Sequence, residues 1–299
     1  RTDPAVMAAV SKPRTDLPVI KAAGLAKGKG VIVPATLTEA IDALDRIMVQ
    51  KVFGEAGDRV VTEDRLEGTE VSILALVDGR SIYVLESCQD HKRLLDGDRG
   101  PNTGGMGAFC PSGTIDDALM DTIQREILVP TLDALRRDGI EYQGVLYAGL
   151  MLTPAGPKVI EFNCRFGDPE CQALMVRLES DLLELILATC TGRLNEVEVK
   201  WKPGASCCSV MAAPGYPDEP RAGLPISGTE EAAALPHIHV FHAGTKRDAA
   251  GQLITAGGRV LSVTATGVHL PEARTRAYAA CDKINFAGKQ VRRDIGIKR

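Results

Sequence analysis

Two oxygen-bearing side chains, Glu161 and Asn163, stand two positions apart near the middle of the chain. They end an apolar run typical of a strand, in which side chains at i and i+2 point to the same face. A carboxylate and an amide oxygen placed together suit Mg²⁺, which proteins commonly hold by one or two oxygens beside phosphates and water. By itself, the pair is also typical of a polar strand at the rim of a sheet.

The residues that follow this pair change the balance between those two interpretations. Arg165, Asp168 and Glu170 come within one short turn of Asn163. A guanidinium beside a metal-held phosphate is an arrangement that stabilises phosphoryl transfer. The alternative is a cluster of salt bridges within a loop.

A second segment with chemical potential is a glycine- and lysine-rich turn near the start of the chain. Lys21 ends a short predicted strand, and Gly28, Lys29 and Gly30 follow in the turn. Glycines let backbone N–H groups approach phosphate oxygens, and lysines supply positive charge. The spacing is not that of a Walker A motif, and a solvated basic turn is the alternative interpretation.

Two further polar segments, residues 60–70 and 89–107, complete the candidate site. The first is an acidic bend whose backbone could contact an adenine edge, although a charged hairpin turn has the same composition. The second is long and rich in glycine, and loops of that length are functional or disordered. It contains His91, but no second His or Cys stands at the ligand spacing that zinc requires.

Hydrophobic periodicity predicts the elements that position these residues. Strands are predicted at 17–21, 59–63, 69–77, 80–87, 144–152, 157–162, 206–213, 238–242 and 259–265, and helices from Thr36 or Thr38, from Asp116, at 178–190 and at 271–284. Strands and helices mixed around glycine-rich turns predict an α+β or α/β fold. Residues 1–16 are polar, and we expect little order there. A change of composition near residue 200 predicts a domain boundary, which separates 17–199 from 200–299.

Composition excludes several classes of protein. The chain has 299 residues, a net charge of −4 and 4% aromatic residues, which argues against a nucleic-acid partner. No apolar run reaches membrane-spanning length, and no signal peptide is recognisable. The eight cysteines form no C-x-x-C pair, which favours free thiols in a reducing, cytoplasmic compartment.

Taken in order, the four polar segments resemble the ATP-grasp superfamily and, within it, the glycinamide ribonucleotide synthetase family. The nearly literal agreements lie at residues 89–93, 101–107, 161–170, 241–245, 257–261 and 293–296. The resemblance extends from about Leu17 to the end of the chain. It implies an ATP-grasp fold of two α+β subdomains that clamp ATP, followed by a small, β-rich mixed α/β C-terminal domain.

The resemblance also implies an activity, the ATP-dependent ligation of glycine to 5-phosphoribosylamine in purine synthesis. ATP would first phosphorylate the glycine carboxylate, and the amine would then displace phosphate from glycyl phosphate. The implied cofactors are ATP and Mg²⁺ or Mn²⁺, and the implied partners are small molecules rather than nucleic acid or membrane. Relatives of this kind are sometimes fused to other purine-synthesis enzymes.

Individual roles follow from the same resemblance, position by position. Catalysis falls to Arg165, Asp168 and Lys92, metal binding to Glu161 and Asn163, ATP binding to Lys21, Gly28, Lys29, Gly30, Glu63, Leu66 and Glu70, and substrate binding to Asp90, His91, Arg165 and Asp168. Within the ATP-binding set, the segment from Glu63 to Leu66 matches the part that contacts adenine, and Glu70 matches the ribose-binding carboxylate.

Several departures from the family pattern leave alternatives open. The Rossmann-like domain and the first strand of the ATP-clamping subdomain, with which the family begins, have no counterpart in this sequence, and phosphoribosylamine binding draws partly on that region. One alternative is therefore a module that binds ATP and Mg²⁺ without turnover. Another is a different ATP-grasp carboxylate–amine ligase, which the runs 102–107 and 242–245 disfavour.

Overall fold

The computed structural model describes residues 17–26 and 30–297. The chain divides into two compact units, residues 1–67 and 68–299.

The described part of the first unit is a small antiparallel sheet with one helix packed on it. Its elements are β1 (Val19–Ala22), β2 (Val31–Ile32), α1 (Leu37–Leu44) and β3 (Val60–Glu63), with a π-helical turn at Asp45–Val49 and a 3₁₀ turn at Gly54–Gly57. β1 lies between β2 and β3. Thr36 caps α1, its hydroxyl accepting a hydrogen bond from the Glu39 N–H, as the sequence predicts.

The second unit contains the remaining elements. They are β4 (Thr69–Asp78), β5 (Ile82–Val84), β6 (Gln89–Asp90), β7 (Arg93–Leu95), β8 (Arg99–Asn102), β9 (Gly107–Cys110), α2 (Asp117–Ile123), α3 (Val129–Arg137), β10 (Gln143–Thr153), β11 (Gly156–Asn163), α4 (Glu170–Met175), α5 (Leu182–Cys190), β12 (Ala205–Ala212), α6 (Thr229–Ala233), β13 (Ile238–His242), β14 (Thr245–Arg247), β15 (Leu253–Thr255), β16 (Arg259–Gly267), α7 (Leu270–Cys281) and β17 (Gln290–Val291). A π-helical turn at Gln124–Leu128 joins α2 to α3.

The four-stranded sheet β11-β10-β4-β5 is antiparallel throughout and separates two hydrophobic cores. Alternation along β4 sends Ile73 and Ala75 to the face covered by the α2–α3 region. The intervening Leu74 points to the opposite face, where it packs with Tyr147 and Leu185. The polar end of this second face carries the candidate site.

A second sheet, ordered β13-β16-β12-β9-β6, joins distant parts of the sequence. β9 pairs with β6 on one side and with β12 on the other, and all pairs are antiparallel. α7 packs on this sheet, with Ala273, Ala277 and Cys281 buried against β12 and β16. Because β6 leads into residues 91–107, this sheet anchors the glycine-rich segment.

Three sequence predictions of secondary structure need correction. Residues 178–190 do not form one helix, because α5 begins at Leu182, after the cap residue Asp181, and Leu178 instead forms a β-bridge with Trp201. Residues 90–107 are not all loop, since a hairpin of β7 and β8 lies within them. The strand predicted at 80–87 shortens to β5. The proposed boundary at residue 200 remains a prediction.

Candidate active site

Strand register brings the predicted metal-binding pair together. Glu161 and Asn163 alternate with Phe162 along β11 and share a face, and the Asn163 amide nitrogen lies 3.4 Å from Glu161 Oε1. Glu161 pairs with Gly149 of β10, and Gly149 pairs with Ser72 of β4. The face on which the pair lies therefore continues across three strands.

Gly149 leaves open space in the middle of this face. A methyl group at that position would lie 3.4 Å from Glu161 Cγ and 3.5 Å from the ring of Tyr147. A larger side chain would therefore compete with Glu161 for space above the sheet.

Lys92 lies between two carboxylates of the same face. Its ammonium nitrogen is 3.7 Å from Glu70 Oε2 and 3.9 Å from Glu161 Oε1. Burial alone would lower the pKa of Lys92, but the charges of Glu70, Asp90 and Glu161 outweigh it, and the pKa is raised. The side chain therefore stays a cation that could contact a phosphate oxygen.

A buried polar network lies on this face below the open residues. Glu170 is 3% exposed, and its Oε1 accepts hydrogen bonds from the hydroxyls of Tyr147 at 2.8 Å and Ser72 at 3.0 Å. The two hydroxyls are themselves 2.8 Å apart. Burial, followed by the charge of Glu170, raises the pKa of Tyr147, so the phenol stays protonated and fixes the floor of the site. The sequence-based loop salt-bridge interpretation therefore does not describe Glu170.

Asp90 occupies a tight position beside the glycine-rich turn. A methyl group at Gly105 would lie 2.9 Å from Asp90 Oδ1, 2.5 Å from Pro169 Cδ and 3.3 Å from the Asp168 carbonyl oxygen. Gly105 also has a φ of +117°, a conformation that favours glycine. Burial, followed by the charge of Glu170, raises the pKa of Asp90 well above its ordinary value.

Asp168 is held by two neighbours rather than by the metal-binding pair. Its Oδ2 accepts from Arg259 Nη2 at 3.0 Å and its Oδ1 from Gln172 Nε2 at 3.0 Å. Arg165 is exposed, and its guanidinium donates to the Phe166 carbonyl at 2.8 Å. Neither contact places Arg165 or Asp168 against Glu161.

His91 has a packing role in the structure. Its ring lies 5.9 Å from that of Phe109, between centroids, in a tilted arrangement. Its backbone N–H donates to Gly107 and its carbonyl accepts from Met106. These contacts tie the start of the glycine-rich segment to its end.

The remaining predicted ATP-binding residues belong to the first unit. Lys21 Nζ forms an ion pair with Glu63 Oε2 at 2.7 Å. Gly30 accepts a backbone hydrogen bond from Ala22, and Leu66 is half-buried beyond β3. Gly28 and Lys29 lie outside the described residues.

The donor set on β11 fits a hard divalent cation. Across the part of the chain that the structure describes, no group of three or more His, Cys, Asp or Glu side chains could hold a metal ion. Glu161 and Asn163 offer two adjacent oxygen donors, which suits Mg²⁺ bound mainly through phosphates and water. It does not suit zinc, which takes four protein ligands in structural sites.

Two protein-family models match nearly the whole chain. The model described as "Phosphoribosylglycinamide synthetase, ATP-grasp (A) domain" matches residues 2–171, and that described as "Phosphoribosylglycinamide synthetase, C domain" matches residues 206–298. The chain belongs to the phosphoribosylglycinamide synthetase family. Phosphoribosylglycinamide synthetase is another name for glycinamide ribonucleotide synthetase. The two matches therefore confirm the resemblance seen in the sequence.

Curated relatives of this family share about half of their residues with the chain. A phosphoribosylamine–glycine ligase of Vigna unguiculata is 53% identical over 90% of this chain and 88% of the relative. A phosphoribosylamine–glycine ligase of Rhodopirellula baltica is 49% identical over 94% of this chain. The chain spans 64% of that second relative.

Solved structures confirm the predicted ATP-grasp fold of this synthetase family. The crystal structure of a phosphoribosylamine–glycine ligase from Thermotoga maritima has a TM-score of 0.85 and 36% identity, over 98% of this chain and 71% of that one. The biotin carboxylase domain of Hydrogenobacter thermophilus 2-oxoglutarate carboxylase has a TM-score of 0.64 at 15% identity, over 96% of this chain and 60% of that one. This second likeness concerns the fold alone.

Several residues of the synthetase site are absent from the sequence-based assignment. They are Ser72, Tyr147, Arg259 and Tyr216, whose hydroxyl accepts from the Gly104 N–H, while the sequence placed Glu170 only within the charged turn after Asn163. The position of Tyr147 could have been predicted from the sequence. It stands two residues before Gly149 on a predicted strand, so the two residues share a face. Arg259 lies in the matching run 257–261, but no local pattern connects it to Asp168.

Proposed function

We propose that this chain is part of an enzyme that ligates glycine to 5-phosphoribosylamine with ATP, giving glycinamide ribonucleotide, ADP and phosphate in purine synthesis. A carboxylate is a poor acyl donor, so the γ-phosphoryl group of ATP passes first to a glycine carboxylate oxygen. The amine then attacks the acyl carbon, and the C–O bond to phosphate breaks as the C–N bond forms. Relatives that are named phosphoribosylamine–glycine ligase are about 50% identical to this chain.

The proposed phosphoryl transfer takes place above β10 and β11. Glu161 and Asn163 would hold Mg²⁺ or Mn²⁺, which neutralises phosphate charge when bound. Lys92, a cation held within 4 Å of Glu70 and Glu161, contacts a phosphate oxygen and stabilises its charge. Arg165 is exposed and free to turn toward the acyl phosphate, as the family resemblance implies.

ATP-binding roles are proposed residue by residue, as the family resemblance implies. Lys21, Gly28, Lys29 and Gly30 serve the phosphates, and residues 63–66 serve adenine through their backbone. Glu70 accepts from ribose hydroxyls, which would release Lys92 from its ion pair with that carboxylate. Binding thus exchanges one contact of Lys92 for another.

The glycine end is proposed to lie at Asp90 and Asp168. The Asp90 side chain and the Asp168 backbone carbonyl both lie close to Gly105. The Asp168 carboxylate would attract the glycine ammonium group, and the Asp90 carboxyl oxygen could accept a hydrogen bond from it. His91 would support the turn through its contact with Phe109. No side chain at this end is an obvious general base, so positioning and charge stabilisation supply most of the catalysis.

The observation that carries the proposal is the convergence of Lys92, Glu161 and Asn163 on one sheet face. The test is an assay of phosphate release with the whole natural polypeptide. We expect release to require ATP, glycine and phosphoribosylamine together. Phosphate release that does not require glycine, or that is equally fast with other small carboxylates, would contradict the proposal.

A second candidate function is ATP binding without turnover. It draws on the same convergence of Lys92, Glu161 and Asn163, which suits a metal-bound nucleotide whether or not turnover follows. ATP that raises the melting temperature in the absence of any substrate-dependent phosphate release would support it. A different ATP-grasp ligase finds less support, because relatives at about half identity are named phosphoribosylamine–glycine ligase.

Location in the cytoplasm is part of the same proposal. All eight cysteines are free thiols, as a reducing compartment requires. Among residues 17–26 and 30–297, no helix is long and apolar enough to cross a membrane. One plant relative is named as chloroplastic.

A further inference from the structure

Arg259 connects the last third of the chain to both sides of the proposed glycine end. Its Nη1 donates to the Gly104 carbonyl at 2.8 Å and to the Asp168 carbonyl at 2.6 Å. Its Nη2 donates to Asp168 Oδ2 at 3.0 Å. One guanidinium thus fixes a carboxylate and two backbone carbonyls.

The Gly104 position is shaped for this contact. A methyl group there would lie 3.1 Å from Arg259 Cζ and 3.2 Å from its Nη2. The guanidinium therefore lies against the Gly104 backbone, in space that a side chain would occupy. Gly104 has a second partner, because its N–H donates to the hydroxyl of Tyr216 at 2.9 Å.

Glycines at the base of β16 make this arrangement possible. A methyl group at Gly258 would lie 2.4 Å from the Tyr216 ring, and one at Gly244 would lie 2.7 Å from Gly257 Cα. The Gly244 N–H also donates to the Arg259 carbonyl. The runs 241–245 and 257–261, which the reaction itself leaves unexplained, thus form the support for Arg259 and Tyr216.

We infer that Arg259 is a positioning residue for glycine, acting through Asp168 and the Gly104–Gly105 turn. The inference rests on the proposed function. Ion pairing with Arg259 and the hydrogen bond from Gln172 leave the Asp168 carboxylate in one orientation. That side chain remains 52% exposed, so it can still accept a hydrogen bond from an ammonium group. If the Asp168 carboxylate moved, the bound glycine would move with it, and a small displacement of a reacting group lowers the reaction rate by a large factor.

The kinetic test compares Arg259→Gln and Arg259→Lys with the matched control Arg247→Gln in the whole natural polypeptide. Arg247 is an exposed arginine on β14 whose guanidinium donates to the Gly251 carbonyl. We expect Arg259→Gln to raise the glycine KM by about tenfold or more while the ATP KM changes by less than about twofold. Arg259→Lys should restore part of the loss, because lysine keeps the charge but not the planar fork.

A double mutant separates positioning from general damage. If Arg259 acts through Asp168, Arg259→Gln should add little to the glycine KM of Asp168→Asn, because the two residues form one unit. Fully additive effects, or equal increases in the KM values of glycine and ATP, would overturn the inference.

Hydrogen exchange gives a readout that does not depend on turnover. The amides of residues 103–107 should exchange faster in Arg259→Gln than in the parent or in Arg247→Gln, because the Gly104 turn loses its anchor. Unchanged exchange would overturn the inference even where the KM values shift. Glycine-independent phosphate release by the parent would instead refute the proposed function, and the exchange comparison would then decide the role of Arg259 alone.

Discussion

The carboxylate of Glu161 has two neighbours of opposite chemistry, the Asn163 amide at 3.4 Å and the Lys92 ammonium at 3.9 Å. Both distances are long for a hydrogen bond or a tight ion pair. The Glu161 carboxylate is thus close to both groups but forms a short contact with neither. Such a group can exchange partners when a cation and a phosphate enter.

Replacement of Glu161 should therefore act on metal binding rather than on folding. ATP with Mg²⁺ should raise the melting temperature of the parent, because a ligand at about 100 times its Kd stabilises the folded state by about 2.7 kcal/mol. In Glu161→Ala, we expect the Mg²⁺-dependent part of that shift to vanish, as measured by thermal denaturation. Glu184→Ala, on the exposed side of α5, is the control, and a full Mg²⁺ response in Glu161→Ala would remove Glu161 as a ligand.

The Tyr147 hydroxyl should contribute measurably to stability. Tyr147→Phe leaves Glu170 buried with one hydrogen bond fewer, and a bond to a charged acceptor is worth about 1.5–3 kcal/mol. Urea unfolding should show a loss of that size. Tyr83→Phe, which removes a 3.2 Å bond to a neutral carbonyl, should cost about 1 kcal/mol or less, and equal losses in both variants would contradict the assigned network.

At this scale, the sequence predicts what local geometry controls. Glu161 and Asn163 could be assigned to one face because alternation along a strand depends only on neighbouring residues. Asp168 could not be assigned to Arg259, which is 91 positions away, because the fold and not the local sequence brings them together. The same limit applies to Glu170, whose partner Ser72 is 98 positions away.

At the scale of elements, the C-terminal segment and the β7–β8 hairpin are joined by a cluster of charges. Arg292 is fully buried and donates to Asp98 Oδ1 and to both carboxylate oxygens of Asp294, at 2.8 Å each. The Gly97 N–H donates to Asp294 Oδ2 at 2.9 Å. The hairpin that follows Lys92 is therefore held by residues near the end of the chain.

The contribution of Asp294 to the stability of the fold should depend on pH. Burial alone would raise the pKa of Asp294, but hydrogen bonds from Arg292 and the Gly97 N–H outweigh it and hold the pKa well below its ordinary value of 3.8. A carboxyl whose folded-state pKa is lowered stabilises the fold above the unfolded-state pKa, and the effect is lost as the pH falls through the folded-state value.

Asp294→Asn should consequently lower the free energy of unfolding at neutral pH by about 2 kcal/mol. The difference from the parent should shrink as the pH falls below about 4, which chemical denaturation at several pH values can measure. Asp218→Asn, which removes an exposed carboxylate, is a control for general effects of charge. A difference that grows in acid would contradict the assignment.

Element boundaries were predictable where the signal is local. The caps of α1 and α2 are Thr36 and Asp116, and each accepts a hydrogen bond from an N–H in the first turn. The predicted start of α5 is too early, and apolar residues at 174–176 and 178 precede it. In the structure, that run instead forms the end of α4 and a bridge to Trp201, which only tertiary contacts specify.

At the scale of the whole molecule, the two compact units have cores of different size. Among its described residues, 17–26 and 30–67, the core of the first unit contains five buried side chains, Ile20, Ala40, Ala43, Leu44 and Ile47. The second unit contains three larger clusters. Because stability follows buried apolar surface, the first unit should open at a lower free energy than the second.

Native-state hydrogen exchange can check this order of opening. Amides of β1 and β3 should exchange through openings of lower free energy than amides of β4 and β10. ATP should protect the first unit selectively if Lys21 binds phosphate, because a ligand stabilises the segment that contacts it. Equal protection in all four strands without ATP would show instead that the two units unfold together.

The pairing of β9 with β12 has a consequence for any attempt to divide the gene. A polypeptide that stopped at Lys200 would keep β9, whose four residues are all buried, but would lose the strand beside it. Its free N–H and C=O groups would then be open to other chains, the usual origin of self-association in β proteins. The last hundred residues thus cover the edge of the strand that follows the glycine-rich segment.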